Sequence, residues 1–251
     1  MRQGEGGRSD TWCALRANPH PPTAKLGPSL DKKLALFDGT LTLMTCCALG
    51  TDILQQLELI HAAGICHRDL KPENLCLCSR FEGEGEGDDA WTLIDFGLAT
   101  ALKAPSLPLS VATVPRSGGG AVVGTARYAS IAAHQGRPLT PRDDVESLAY
   151  VMLYCCRGEK LPWQGLGARY RDKTIRNAKV GEIKALCSPK SLVEGTLAAP
   201  LEAFIVKAFE KKPEPDYQQL RFLLTAVATA SSLTAATPLK AAAPLRTFTQ
   251  P

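Results

Sequence analysis

Apolar side chains recur at helical spacing from about Leu41 to Ala63, and this pattern predicts a long helix. The apolar stripe is formed by Leu43, Cys47, Ile53, Leu57 and Ile60. Gly64 follows at the position where a glycine commonly ends a helix. Because the stripe is broad, we expect this helix to pack deep inside a helical body.

Four further helices are predicted from the same kind of pattern. A short one follows Ser29, which suits an N-cap, and Asp31 lies in its first turn, where a negative charge is favourable. The segment from Asp144 to Cys156 is apolar on nearly every face, so a helix there must be buried. The other two helices are expected over residues 201–211 and 216–230.

Two short strands are predicted, Leu75–Cys78 and Trp91–Ile94. Residues 82–89 between them are acidic and rich in glycine, so we expect a mobile hairpin loop there. Calcium binding by these carboxylates is an alternative, but their spacing is not that of an EF-hand loop, and a solvated charge run is the simpler interpretation. Residues 100–123 are rich in proline and glycine and predict a long flexible segment.

The composition is that of a soluble globular protein, with 251 residues, 45% of them hydrophobic and 22% charged. A net charge of +4 is too small to indicate nucleic-acid binding. No apolar run reaches the length of a bilayer span, and the polar start of the chain does not resemble a signal peptide. We therefore expect an intracellular protein, cytoplasmic or nuclear, with no membrane span.

The chain contains nine cysteines, an odd number. They are Cys13, Cys46, Cys47, Cys66, Cys76, Cys78, Cys155, Cys156 and Cys187. There is no CxxC pair, and most of them lie within apolar patterns, which argues against a disulfide framework or a zinc site. We expect them to be small core residues of a protein in a reducing compartment.

Two polar motifs carry the candidate chemistry: HRDLKPEN at residues 67–74 and IDFG at residues 94–97. Together they supply carboxylates, a lysine and an amide. A carboxylate can orient a hydroxyl, a lysine can place a cation beside a phosphate, and carboxylate and amide oxygens can bind Mg²⁺. For a single short motif of this kind, a solvated turn is the favoured interpretation. The order and spacing of the two motifs match the catalytic-loop and metal-binding motifs of protein kinases, so the sequence resembles a protein kinase.

Further segments resemble the casein kinase I family of Ser/Thr kinases. They are LGPSL at residues 26–30, GTARYASI at 124–131, RDDVESL at 142–148, LPWQGL at 161–166 and PDY at 215–217. The resemblance extends from about Leu26 to Leu224. It implies a mainly α (α+β), protein-kinase-like fold, with a C-terminal helical lobe and a short β-hairpin around the catalytic loop. The implied domains are an irregular non-kinase segment over residues 1–25, a kinase large lobe over 26–230 and a flexible tail over 231–251.

The resemblance implies a catalytic role for four residues, Asp69, Lys71, Asn74 and Thr125, and a metal-binding role for Asn74 and Asp95. Asp69 would be the catalytic base that orients the substrate hydroxyl, and Thr125 would hydrogen-bond to it. Lys71 would steady the γ-phosphate of ATP, and a lysine at this position is typical of Ser/Thr rather than Tyr kinases. Asn74 and Asp95 would hold Mg²⁺ against the phosphates.

It also implies supporting and binding roles. Leu26, Cys76 and Ile94 would line the adenine pocket, with Lys71 as a further contact to the nucleotide. His67, Arg68 and Asp144 would support the catalytic loop. Arg127 matches an arginine that binds an anion, which implies acidic or already phosphorylated substrates; a structural ion pair is the alternative. A basic cluster could extend this site or form a solvated helix face, which we favour slightly; it consists of Arg169, Arg171, Lys173, Arg176 and Lys179.

The implied cofactors are ATP and Mg²⁺, and the implied partners are protein substrates, with the chain itself a monomer. A complete kinase domain also carries a Gly-rich phosphate loop, a strand lysine and a helical glutamate paired with it. None of these is recognisable in residues 1–25, so we expect a fragment without the N-terminal lobe and with weak or no activity. A catalytically inactive binding or scaffold module is the alternative function. A small-molecule kinase is disfavoured because such enzymes lack this combination of motifs.

Overall fold

The computed structural model describes residues 26–82, 85–102, 122–158, 160–193, 199–212 and 214–231. The predicted irregular segment 1–25, the predicted tail beyond residue 231 and the central part of the predicted flexible segment, residues 103–121, lie outside the described residues.

Helices dominate the described residues, and the two β-sheets are small. In chain order the elements are β1 (Leu26–Ser29), α1 (Leu30–Leu36), α2 (Leu43–Ala62), β2 (Ile65–Cys66), β3 (Leu75–Glu82), β4 (Gly85–Leu93), β5 (Thr100–Ala101), α3 (Ile131–His134), α4 (Pro141–Cys156), α5 (Lys173–Leu186), α6 (Pro189–Val193), α7 (Ala199–Ala208) and α8 (Tyr217–Ser231). Single 3₁₀ turns lie at Pro72–Asn74 and Phe96–Leu98. This arrangement agrees with the predicted mainly α (α+β) class.

The long predicted helix is confirmed as α2, which begins two residues later and ends one residue earlier than expected. Gly64 lies just beyond its end with a φ of 76°, and its N–H donates to the carbonyl of His61 at 2.9 Å. This is the left-handed conformation that glycine adopts without steric cost. Helix α2 packs against α4, α8 and β4, so it lies deep in the helical body as predicted.

Helix α4 is buried along its whole length from Asp143 to Cys156, as its apolar composition predicted. It begins at Pro141, three residues before the predicted start at Asp144. The carboxylate of Asp143 accepts hydrogen bonds from the backbone N–H and the hydroxyl of Thr140, at 2.8 and 2.9 Å. Because this cap stabilises the first turn, polar residues can form it. The prediction was based on apolar positions and therefore left this turn out of the helix.

The other predicted helices are found with shifted ends, as α1, α7 and α8. Ser29 lies at the N-cap position of α1, but its side chain makes no capping hydrogen bond. Helices α3, α5 and α6 and strand β1 were not predicted. In α5 the fully buried positions are Val180 and Lys184, and a lysine on the buried face interrupts the apolar periodicity on which such predictions depend.

The larger sheet is antiparallel with strand order β1-β3-β4. Strands β3 and β4 continue pairing as far as Glu82 and Gly85, so the prediction of a loop over residues 82–89 is wrong for most of that range. The ladder is built from backbone hydrogen bonds, which need no apolar side chain, and this explains why polarity alone misjudged the strands. A second correction concerns Thr100 and Ala101, which pair with β2 instead of opening a flexible segment.

At Trp91 and Leu93, the outer edge of β4 is covered by side chains of α2. Asp52 accepts a hydrogen bond from the N–H of Trp91 at 2.9 Å. Gln56 donates to the carbonyl of Trp91 at 2.8 Å and accepts from the N–H of Leu93 at 2.9 Å. Two polar residues one helical turn apart therefore satisfy the strand that leads directly to the IDFG motif.

Eight of the cysteines lie in the described residues, and all eight are free thiols. Seven are buried and Cys187 is half-buried, which confirms the prediction of core cysteines. No helix in the described part of the chain is both long and apolar enough to cross a membrane.

We predict that Gln56→Ala lowers the free energy of unfolding by about 1–3 kcal/mol, because it leaves two backbone groups at the β4 edge without their partner. Urea unfolding measures the loss. Gln55→Ala is the matched control, since the neighbouring Gln55 is exposed on the same helix. Equal stability of the two variants would contradict the role of Gln56.

Candidate active site

The buried carboxylate of Asp144, in the first turns of α4, holds the start of the catalytic loop. It accepts hydrogen bonds from the backbone N–H groups of His67 and Arg68, at 2.7 and 2.8 Å. Arg68 has a φ of 71°, so the chain turns sharply at this point. Burial alone would raise the pKa of Asp144, but the hydrogen bonds and the two histidines nearby outweigh it and hold the pKa below its ordinary value.

The same carboxylate also accepts a hydrogen bond from Nε2 of His61 on α2, at 2.8 Å. The other ring nitrogen of His61 contacts the hydroxyl of Tyr217 at the start of α8. No sequence pattern signals this chain of contacts, because His61 is one more position of a long helix by its spacing. His61, Cys66 and Asp144 lie close enough together to hold a metal ion, but three hydrogen bonds already occupy the Asp144 carboxylate, so we regard the group as structural.

His67 is fully buried and does not face solvent. Its Nε2 lies 3.1 Å from the carbonyl of Ile94, and its ring packs edge-on against Phe96 at 5.0 Å. Burial lowers the pKa of His67, although neighbouring carboxylates and the Ile94 carbonyl work against it. The imidazole therefore ties the HRDLKPEN motif to the IDFG motif as a neutral group.

The carboxylate of Asp69 is fixed from two sides. Its Oδ1 accepts hydrogen bonds from the backbone N–H and the hydroxyl of Thr125, both at 2.9 Å. Its Oδ2 lies 2.7 Å from Nζ of Lys71. The structure therefore brings together Asp69, Lys71 and Thr125, three of the four predicted catalytic residues, although Thr125 is 56 residues away along the chain.

The ammonium of Lys71 is held in its charged form. Burial works against the charge, but the hydrogen bond with Asp69 and the nearby carboxylates of Glu73 and Asp95 outweigh it and raise the pKa of Lys71. A firmly protonated lysine beside a carboxylate can neutralise the oxygens of a phosphoryl group.

Asn74, the fourth predicted catalytic residue, is buried below Asp69. The side-chain Nδ2 of Asn74 donates to the backbone carbonyl of Asp69 at 2.9 Å. The backbone carbonyl of Asn74 accepts from the N–H of Ile94 at 2.9 Å. The next residue, Asp95, is exposed and adopts a left-handed conformation with a φ of 64°. Its Oδ1 accepts from the N–H of Gly97 at 3.1 Å.

An amide oxygen and a carboxylate are the hard oxygen ligands that Mg²⁺ prefers. The Nδ2 group of Asn74 donates to the backbone carbonyl of Asp69. The side-chain oxygen of Asn74 therefore points away from that carbonyl. The exposed Asp95 directly follows Ile94, whose N–H donates to the backbone carbonyl of Asn74. The donor chemistry of Asn74 and Asp95 therefore fits a magnesium ion.

The predicted adenine-pocket residues lie on or beside the three-stranded sheet. Leu26 in β1 is paired with Cys78 in β3 and is 43% exposed. Cys76 lies two residues earlier in β3 and is buried, and Ile94 follows the end of β4. All three residues therefore lie in or directly beside the strands of this sheet.

Arg127 follows two residues after Thr125 and is exposed. Its guanidinium carbon lies 5.8 Å from the ring centre of Tyr128 and 5.4 Å from that of Tyr154, and it donates to the Tyr154 hydroxyl at 3.4 Å. Burial opposes the charge, but the tyrosine contacts outweigh it and raise the pKa of Arg127. No carboxylate among the described residues forms an ion pair with Arg127, so the alternative of a structural ion pair finds no support.

The basic cluster lies on and just before α5, and its contacts agree with the interpretation as a solvated helix face. Lys179 pairs with Glu182 at 2.6 Å on the surface. Arg169 stacks over Tyr170 at 5.6 Å, and Arg176 donates to the Tyr170 carbonyl at 3.4 Å.

The segment of residues 124–131, which carries Thr125 and Arg127, is held by side chains that the sequence did not indicate. Nε1 of Trp163 donates to the carbonyl of Arg127 at 2.8 Å. Oε1 of Glu146 accepts from the N–H of Ile131 at 2.8 Å. Gly124 has a φ of 81°, and a Cβ there would lie 2.4 Å from the carbonyl oxygen of Arg68. Only glycine permits this approach of the segment to the catalytic loop.

Comparison with known families agrees with this geometry. A family model described as "Protein kinase domain" matches residues 27–216, which contain the catalytic loop, the IDFG motif and the 124–131 segment. The match covers more than half of the 251 residues, so the chain belongs to the protein kinase family. Members of this family are transferases that generally use ATP and Mg²⁺ and act on protein substrates.

We predict that Gly124→Ala destabilises the protein far more than Gly165→Ala. Both glycines have a positive φ, at 81° and 78°, but a Cβ at Gly165 meets no atom within 4 Å. The control should therefore lose only the backbone strain of about 1–2 kcal/mol, while Gly124→Ala adds the clash with Arg68. Urea unfolding compares them, and equal losses would show that the close approach to Arg68 costs nothing.

We also predict that stability falls as the pH drops from 6.5 to about 4. Burial, with a smaller contribution from Lys184, lowers the pKa of His134 to about 4 from 6.5. The unfolded chain then binds more protons in this range, so the stabilisation is complete above pH 6.5 and is lost as the pH falls through the folded-state pKa. Allowing for partial exposure, the contribution of His134 is about 2 kcal/mol.

Urea unfolding at a series of pH values tests this expectation. His134→Gln, which cannot titrate, should flatten the dependence of the unfolding free energy on pH, leaving the part due to His67. An unchanged slope in the variant would contradict the assignment to His134.

Proposed function

We propose that this protein kinase is a Ser/Thr kinase of the casein kinase I type. The observation that carries the proposal is the double hold on Asp69, whose two carboxylate oxygens are bound by Thr125 and Lys71. Thr125 belongs to the GTARYASI segment, the most specific point of resemblance to that family. Residues 26–230 are proposed to form the large lobe of the kinase fold.

Asp69 is the proposed catalytic base. With Oδ1 fixed by Thr125, the carboxylate presents Oδ2 in one orientation, so a substrate Ser or Thr hydroxyl can donate a hydrogen bond to it. As the hydroxyl oxygen attacks phosphorus, its proton passes to Asp69. Lys71 places a positive charge next to the oxygens of the transferred phosphoryl group.

Asn74 and Asp95 would hold the magnesium ion that protein kinases generally use. When bound, the ion neutralises phosphate charge and aligns the phosphates. The chain's own contribution is to fix both ligands relative to Asp69, through the bond from Asn74 to the Asp69 carbonyl and the bond from Ile94 to the Asn74 carbonyl. Leu26, Cys76 and Ile94 are proposed to contact the adenine ring.

Arg127 is proposed to bind an acidic or phosphorylated side chain of the substrate. Two tyrosines stabilise its positive charge, and no carboxylate among the described residues forms an ion pair with it. A guanidinium stacked on aromatic rings keeps its donors available for a planar or tetrahedral anion. Substrates of this chemistry are proposed for the chain, and His67, Arg68 and Asp144 are proposed to support the loop that acts on them.

The test is transfer of labelled γ-phosphate from ATP and Mg²⁺ to an acidic serine peptide by the purified chain. Because no Gly-rich loop or strand lysine is recognisable in residues 1–25, we expect a low rate at high enzyme concentration. Asp69→Asn should reduce that rate by about 10²–10⁴-fold. Glu202→Gln, a change on α7 away from the site, is the control and should leave the rate unchanged.

A peptide with tyrosine in place of serine should not be labelled. Labelling that survives Asp69→Asn would refute the assigned base. If no label is transferred, but the peptide binds and Arg127→Ala abolishes binding, the chain is a non-catalytic binding module and the catalytic proposal fails.

A further inference from the structure

Lys184 is a fully buried lysine to which none of the chemistry above assigns a role. It lies on α5 and is 1% exposed. Burial lowers its pKa well below the ordinary value, with only partial compensation from Glu146. Burying an amine is costly unless its donors find partners, so the contacts of this side chain explain why the fold tolerates it.

The partners of Lys184 are backbone carbonyls of the 124–131 segment. Its Nζ donates to the carbonyl of Ala126 at 3.0 Å and to that of Ala129 at 2.5 Å. The amine also lies 4.3 Å from the ring centre of Tyr150 and 4.9 Å from that of Trp163. The two rings pack against the side chain and support it in the position where its amine meets both carbonyls.

The two carbonyls lie on either side of Arg127 along the chain. Ala126 separates Thr125, which binds Asp69, from Arg127. Trp163 binds the carbonyl of Arg127 itself, and its ring contacts Lys184. The backbone on both sides of Arg127 is therefore fixed by the Lys184 amine, by the indole that packs against it and by His134, whose Nε2 lies 3.0 Å from the Ala126 carbonyl.

The far end of the segment is held by a buried glutamate. Glu146 on α4 accepts from the N–H of Ile131 at 2.8 Å and from the hydroxyl of Tyr150 at 3.0 Å. Tyr150 thus contacts both Lys184 and Glu146. Carbonyls of the segment are bound by an amine donor and an N–H by a carboxyl acceptor, so each of these backbone groups has a hydrogen-bond partner.

We propose that Lys184 is a positioning residue that sets the location of Arg127 and Thr125 by binding the carbonyls of Ala126 and Ala129. Its effect on substrate affinity rests on the proposed role of Arg127 in binding an anionic substrate. Its effect on the order of the 124–131 segment is independent of that proposal.

The experiment compares two variants of α5 in the full chain. Lys184→Met keeps much of the length and the contact with the aromatic rings but removes the donors. Val180→Ala is the matched control, because Val180 is buried on the same helix and its loss weakens packing without removing a hydrogen bond to the segment. Backbone hydrogen exchange is measured by mass spectrometry in peptides covering residues 124–131 and in peptides covering α2.

We expect Lys184→Met to accelerate exchange in the 124–131 segment about tenfold or more relative to the wild type, with little change in α2. Val180→Ala should not single out this segment. If Lys184→Met accelerates exchange no more in the segment than in α2, Lys184 serves only global stability and the proposal is wrong. Should this variant fail to fold, Lys184→Gln replaces it with the same expected direction, since its shorter amide cannot reach both carbonyls.

Binding of an acidic phosphoserine peptide, followed by fluorescence anisotropy, provides the second measurement. Lys184→Met should weaken binding by about tenfold, and Lys184→Arg, which keeps charge and donors, should recover part of the affinity. The exchange and binding results can differ. If Lys184→Met loses exchange protection selectively in the 124–131 segment but the wild type does not bind the peptide, the positioning role of Lys184 is supported and the anion site at Arg127 is refuted. Unchanged peptide affinity in Lys184→Met would refute the link between Lys184 and substrate.

Discussion

The arrangement of the site depends on one buried carboxylate, that of Asp144. It binds two consecutive backbone N–H groups of the catalytic loop and a histidine of α2, so it joins the two longest buried helices at the point where the loop begins. The charge is stabilised because every partner is a donor. Without such an anchor, the left-handed turn at Arg68 would lose the two backbone hydrogen bonds that hold it, and the loop that carries Asp69 would be less firmly placed.

A second set of contacts connects that anchored loop to parts of the chain far away in sequence. Thr125 binds Asp69, Gly124 passes close to Arg68, and Lys184 binds the carbonyls that follow. These contacts are made largely to backbone atoms. The geometry of the site is therefore determined by where α4 and α5 place a few polar side chains, and the apolar core serves to fix those two helices.

Local pattern predicted much of this structure. The ends of α2 follow from apolar spacing and from Gly64. Asp69, Lys71, Asn74 and Asp95 follow from two short motifs, because the residues of each motif are close together in the sequence. The roles of His61, Gln56 and Lys184 could not be found in this way. Each is a polar residue on a helix whose partner lies far away in the chain, and periodicity registers such a residue only as an interruption. The β3 and β4 strands were underestimated for a related reason, since backbone pairing extends beyond the apolar side chains.

The cover that Asp52 and Gln56 provide for β4 has a consequence for how molecules of this protein meet one another. An uncovered strand edge is a template on which another chain can add a strand, and this is a common beginning of aggregation. Here the N–H and carbonyl groups of Trp91 and the N–H of Leu93 are already occupied by a helix of the same molecule. At these positions the sheet cannot grow by the addition of another strand, because the side chains that occupy the edge cannot propagate the ladder.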